Sequence, residues 1–174
     1  PRKTIHMKIS ESSHIIRFPD CDPFNHLNNS RYIDYLINAR EDHLLKHYNF
    51  PIYQYAAETK TSWVVALNKI AYLSPAYLME KVIIQSCILQ MTSSGILVEM
   101  LMWDAEKKKL KALLWTSFVH VDLKTQKRIG HNESLVQQFS NLVQALPHAI
   151  DFDERVTFVK GKDSTSIFPI GQTV

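Results

Sequence analysis

Only four glycines and two cysteines occur in these 174 residues, while 45% of them are hydrophobic. Little glycine with that much apolar content excludes a disordered or low-complexity chain, and the length suits one globular domain with a possible appendage. Cys21 and Cys87 are too few for the disulfide framework of a small secreted domain and lack metal-ligand spacing, which favours a reducing, cytoplasmic setting. Cys21 is also a poor nucleophile, because Asp20 and Asp22 beside it disfavour a thiolate. No apolar run approaches the ~20 residues of a membrane span, and no signal peptide is visible. The chain has no block of Lys and Arg interleaved with aromatics, which argues against nucleic acid. A formal charge of +3 is mild; it suits a polyanionic ligand and plain solubility equally.

What is present is concentrated between Arg17 and Arg40. An apolar, β-prone stretch, Ile15 to Phe18, breaks at Pro19, and a polar loop follows with Asp20, Asp22, Asn25 and His26. Asn28, Asn29 or Ser30 can cap the helix that comes next by accepting from one of its unpaired amides. Carboxylates and an imidazole thus precede a helix N-terminus, where free N–H groups and the dipole favour developing negative charge. Such a place suits a reaction that passes through an oxyanion. Asp and Asn are also ordinary turn formers, so this pattern alone does not fix a function.

From Asn29 to about Tyr48 neither glycine nor proline intervenes. Tyr32, Leu36, Ala39 and His43 form one apolar stripe that Ile33, Ile37 and Leu44 widen, so the helix should be covered on more than one side. Four strands are expected after it: Ser62 to Leu73, Lys81 to Met91, Gly95 to Trp103 and Leu110 to Val121. Short turns at Thr92–Gly95 and Asp104–Lys108 make the last three an antiparallel meander. Both alternate sets within them are largely apolar, so one face is expected on the helix and the other against a second subunit. Beyond Gly130, Leu135, Phe139, Leu142, Val143 and Leu146 predict a helix over 132–146 stopped by Pro147. The tail after His148 reads as polar, with a β-like run from Val156 to Val159.

The run Asp22-Pro23-Phe24-Asn25-His26-Leu27-Asn28-Asn29-Ser30-Arg31-Tyr32, followed by Tyr35 and Ala39-Arg40, resembles the signature of hotdog-fold acyl-CoA thioesterases. These are the 4-hydroxybenzoyl-CoA thioesterase-like superfamily, and the match is to its Asp-x-x-x-His-Val-Asn-Asn branch. Asn68 to Val82 resembles the family's second strand and the turn after it, with Met79-Glu80 where a Gly-Asp pair often stands. The resemblance implies an α+β hotdog fold, an antiparallel sheet wrapped around a long central helix. Here it would occupy residues 1–130, with a C-terminal helical extension over 131–174.

It also implies hydrolysis of a fatty or aryl acyl-CoA, with no cofactor beyond the CoA of the substrate, by a homodimer or dimer of dimers. The family's catalytic carboxylate falls on Asp22, acting as base toward water or as nucleophile, and its carbonyl-polarising helix amide falls at Asn29 or beside it. His26 matches the branch's histidine and is expected to orient Asp22, the substrate or water. Asn28, Asn68 and Thr116 are candidates for substrate contact. Two departures mark the match. Another branch has Tyr and His where this chain has Phe18 and Asn29, and plant acyl-ACP thioesterases have Asn where it has Phe24. An acyl-ACP thioesterase or a non-catalytic acyl-CoA-binding protein are the alternatives.

Other candidates carry weaker patterns. His43 and His47, four apart on the helix, have a metal-compatible spacing but no third ligand in view. Trp63, Trp103 and Trp115 suit core or interface packing. Lys124, Lys127 and Arg128 follow the last strand, where they could meet CoA phosphates.

Overall fold

A computed structural model describes residues 8–146 and 151–168. Five antiparallel strands form one sheet in the order β1-β3-β4-β5-β2. They are β1 (Ser10–Ile15), β2 (Thr61–Tyr72), β3 (Lys81–Met91), β4 (Gly95–Asp104) and β5 (Leu110–Asp122). The 20-residue helix α1 (Asn29–Tyr48) lies across one face, packed on β1, β3, β4 and β5 and scarcely on β2. Its buried residues include Tyr32, Leu36, Ala39 and His43, the stripe its spacing predicts. Against it stand Ile84, Ile88, Val98, Met100 and Leu114. This is the α+β hotdog architecture expected. Among the described residues no helix is long and apolar enough to cross a membrane.

Three local expectations change. The first strand ends at Ile15, and Phe18–Asp20 is a 3-10 turn, because Pro19 has no N–H to give a strand ladder. A helix absent from the sequence reading, α2 (Ile52–Thr59), crosses the end of α1. The helix expected over 132–146 is shorter. α3 spans Glu133–Ser140 with Asn132 as its cap, while Val143 bridges to Ile88 in parallel. Pro147, expected to stop it, lies outside the described residues.

The tail departs most. Val156 to Val159 is not a strand but part of α4 (Phe152–Val159). A capping box fixes its start: Asp151 accepts from the Glu154 amide, and Glu154 from the Asp151 amide. Phe152, Val159 and Ile167 then cover the sheet's outer face over Leu101, Trp103, Leu113 and Trp115. Much of the face expected to meet a second subunit is therefore covered by this chain's own C-terminal segment.

A buried ion pair anchors that segment. Arg155 Nη2 and Nε donate to Glu99 Oε1 and Oε2 at 2.7 and 2.9 Å, and Trp115 Nε1 donates to Oε2 at 2.8 Å. Arg155 also donates to the Ile167 carbonyl at 2.7 Å, which fastens the chain beyond α4. Neither charged side chain is more than 1% exposed. A charge so deep is tolerated only while its partner stays. The tail is thus not the dispensable polar appendage its composition suggests. Arg155→Ala should lower the unfolding free energy by about 3–5 kcal/mol, the range for leaving one buried charge unpaired, whereas Glu99→Met with Arg155→Met should recover most of it. Urea titration of the three proteins checks this, and an unchanged midpoint for Arg155→Ala would refute it.

Candidate active site

The loop from Cys21 to Asn28 is built by its own backbone. The Asp22 amide donates to the His26 carbonyl at 2.8 Å, and the Asn25 amide to the Asp22 carbonyl at 3.0 Å. Asn25 adopts φ 61°, a left-handed conformation that asparagine accepts more readily than most residues. Asp22 Oδ1 then receives two amides, from Phe24 at 2.9 Å and His26 at 3.0 Å. Its Oδ2 has no hydrogen-bond partner among the described residues. A second segment braces the loop, with Leu27 N–H on the Ala76 carbonyl and Leu78 N–H on the Asn25 carbonyl. That segment turns at Met79, φ 62°, so the position where relatives often carry glycine does take a left-handed backbone here.

Asn28 is the cap of α1. Its Oδ1 accepts from the Ser30 amide and hydroxyl, both at 3.0 Å. The Asn29 amide, first in the helix, finds no acceptor among the described residues and sits at the positive end of the dipole. Asp22, His26 and Asn29 line one open cleft of about 240 Å³ with Tyr32, Tyr72 and Ser74. Tyr72 closes one wall by donating to the Asn29 carbonyl at 2.9 Å. A fixed carboxylate and a free helix amide thus face the same space. The pair can act on a carbonyl from one side while stabilising its oxygen from the other.

The His26 imidazole meets the edge of Tyr77 at 5.1 Å and makes no bond to Asp22; only its main chain holds the carboxylate. The Asn28 side chain is engaged in the cap and does not line the cleft. Thr116 Oγ1 donates to Asn68 Oδ1 at 2.7 Å, on the helix-facing side of β5 and β2 but further along the sheet. Lys124 and Lys127 sit in the turn after Asp122, which pairs with Thr61 at the far end of β2, and Arg128 folds back beside Val121, all roughly 30 Å or more along the strand from Tyr72. They are therefore remote from this chain's own cleft. The cleft's tyrosines, Tyr32 and Tyr72, were not read as site residues from the sequence, although Tyr32 stands in the motif. Tyr35 holds Asp20, donating to its Oδ2 at 2.8 Å.

Comparison with known proteins gives the family. The family model of the thioesterase-like superfamily matches residues 16–150. This chain belongs to the thioesterase-like superfamily. It is a thioester hydrolase. The long-chain acyl-CoA thioesterase FadM of Escherichia coli (strain K12) is 32% identical over 124 residues, 71% of this chain and 91% of the relative. The crystal structure of the probable thioesterase YbaW from Escherichia coli superposes with a TM-score of 0.67 at 26% identity, covering 76% of this chain and 98% of that one. The protein SAV2348 from Staphylococcus aureus, solved in complex with CoA, shares the fold with a TM-score of 0.72 at 11% identity, over 86% and 93% of the two chains. Helix α4 and its buried arginine lie past the stretch that the family model matches.

His43, weighed above as a metal ligand, has another task in this superfamily member. Its Nδ1 lies 2.7 Å from Ser86 Oγ and its Nε2 lies 2.8 Å from Ser12 Oγ, so both nitrogens are engaged. Ser12 also meets His14 Nε2 at 2.7 Å, and Arg40 Nη1 donates to Ser86 at 3.2 Å. The chain of bonds ties β1 to α1 and β3. Burial, and after it the Arg40 cation, push the His43 pKa down from 6.5 to about 3. The folded protein therefore keeps His43 neutral where an unfolded chain would protonate it. The resulting stability is complete above about pH 6.5 and is lost as pH falls toward 3, by up to about 1.4 kcal/mol per unit. Burial lowers His14 and His120 as well, which adds in the same direction. His43→Gln should flatten the acid side of the stability profile between those limits, measured by urea unfolding at a series of pH values. An unaltered slope would show that His43 is not the group that titrates.

Proposed function

We propose that this protein hydrolyses acyl-CoA thioesters at the Asp22 cleft. The observation that carries this is the pairing, in one open cleft, of a carboxylate locked by two amides with an unpaired amide at the start of α1. Asp22 Oδ2 takes a proton from water as the hydroxyl adds to the thioester carbon, or adds itself to give a mixed anhydride that water then cleaves. In either route the carbonyl oxygen becomes an oxyanion against the Asn29 N–H. The C–S bond breaks as it collapses, and CoA leaves as a thiolate. A thiol pKa near 8.5 makes that departure feasible without a strong general acid. FadM's name as a long-chain acyl-CoA thioesterase and the CoA complex of SAV2348 support this choice of substrate. In this reading the His26 main chain orients Asp22, Asn28 acts through the cap, and Asn68 with Thr116 bears on the acyl group's path.

Asp22→Asn should lower kcat by roughly 10²–10⁴-fold, the range for general acid–base groups, with KM little changed. Asp20→Asn should cost far less, since Tyr35 and Arg31 hold Asp20 away from the cleft. His26→Ala keeps the amide that orients Asp22 and removes only a ring at the cleft, so it should cost less than Asp22→Asn. Thiol release from acyl-CoAs of graded length measures all three, with acyl-ACP run in parallel. Near-full activity of Asp22→Asn would overturn the assignment.

The same reading includes a homodimer. Strand β2 is an edge of the sheet, twelve residues long, and carries exposed Val64, Val65 and Leu67. Such an edge, apolar and unpaired, fits a second copy of itself across a two-fold axis. Light scattering at micromolar concentration should give at least twice the 20.2 kDa of one chain, and a monodisperse monomer would exclude the dimer.

A further inference from the structure

Helix α1 makes few contacts with β2, which receives α2 instead. The two meet at Asn29 and Tyr72, beside the Asp22 cleft. From there toward Leu44 the residues of α1 and the sheet are apolar: half-buried Ile33 and Ile37 on the helix, half-buried Ile70 and fully buried Leu114 on the strands. Thr116 breaks this apolar floor only in name, since its hydroxyl is already bonded to Asn68. Asn29 to Leu44 spans about 22 Å at roughly 1.5 Å per residue, the length of an extended long acyl chain.

At the Leu44 end a cavity of about 70 Å³ opens among Phe50, Trp63, Phe118 and Phe139. It has room for the last few carbons of such a chain. Three of these rings close it edge to face: Phe139 meets Phe50 at 5.1 Å and Trp63 at 6.1 Å, and Phe50 meets Trp63 at 5.9 Å. Phe139 is 2% exposed and projects from α3, with Leu142 buried three residues later to hold that segment down. Arg40 also lines the cavity, but its guanidinium is turned to Ser86 and to the Tyr48 ring.

We propose that this cavity receives the methyl end of a long acyl chain, and that Phe139 sets the longest chain the enzyme accepts. The proposal rests on the acyl-thioester reading above. Phe139 contributes a wall that α3 can hold rigidly, because aromatic edges pack without conformational freedom. Shortening that side chain enlarges the cavity at that end.

Two measurements test it, one of them independent of turnover. A long-chain fatty acid brominated at its ω carbon should quench Trp63 fluorescence, the same acid brominated beside its carboxylate should not, and Trp63→Phe should abolish the quenching. Trp103 and Trp115 sit on the other face of the sheet and serve as the unquenched background. In acyl-CoA assays Phe139→Ala should raise kcat/KM for chains longer than the native optimum by about tenfold or more relative to that optimum. Phe139→Leu, a gentler change for folding, should shift the profile the same way. Equal quenching by both bromo acids, or an unshifted chain-length profile in a folded Phe139→Leu protein, would overturn the proposal. So would tighter binding of an acid with a second carboxylate at its ω end, which would assign the cavity to Arg40. Quenching at Trp63 without hydrolysis of any acyl-CoA would keep the cavity's assignment and reject the acyl-CoA reading of the Asp22 cleft. Hydrolysis without position-dependent quenching would do the reverse.

Discussion

Strands β3, β4 and β5 are apolar on both faces, and two segments of the same chain must cover them. Helix α1 takes one face and the C-terminal segment around α4 takes much of the other. One helix is not wide enough for five strands, so β2 meets α2 and little of α1, and its outer edge is unpaired. The candidate cleft and the aromatic cavity lie at the two ends of that margin. The helix N-terminus and the Asp22 loop meet Tyr72 at one end of it, and the aromatic cavity closes the other. An incompletely covered sheet thus accompanies cleft, cavity and exposed edge together.

The Glu99–Arg155 pair belongs to that covering more than to net stability. Taking both ions out of water offsets most of what their attraction returns, so a well-packed apolar pair would serve as well in energy. What the ions add is position. Only one placement of α4 satisfies a bidentate carboxylate, the Trp115 N–H and the Ile167 carbonyl at once. An apolar strap on an apolar sheet could slide, whereas this one is fixed over Trp103 and Trp115.

The parts of this architecture legible from sequence are those whose signals are local. Helix α1 runs from Asn29 to Tyr48 as its cap and uninterrupted stripe predict, and β3 spans Lys81 to Met91 as expected. Helix α2 escaped because Lys60, not glycine, takes the left-handed position that ends it. The tail was misread because four β-branched or aromatic residues from Val156 outweighed the Asp151–Glu154 capping box just upstream, although the box was equally present in the sequence. The burial of Arg155 had no such local sign, since its partner stands 56 residues away on β4. The motif placed Asp22 and Asn29 in one cleft, but it could not tell that His26 would hold Asp22 by its amide and leave its ring against Tyr77.

Asp20 and Asp22 show how two like residues, two positions apart, come to different ends. Asp20 closes the 3-10 turn, and its side chain is bonded by the Tyr35 hydroxyl with Arg31 3.7 Å away, both from the second turn of α1 or just before it. It is a strut between loop and helix. Asp22 opens the reversal that turns at Asn25, so its carboxylate is met by backbone amides of its own loop alone. Those amides bind one oxygen and hold the group in place; in the proposed mechanism the other oxygen is the one that reacts. That difference, set by a turn at Asn25 and a brace from Ala76 and Leu78, separates the structural carboxylate from the one placed at the helix amide.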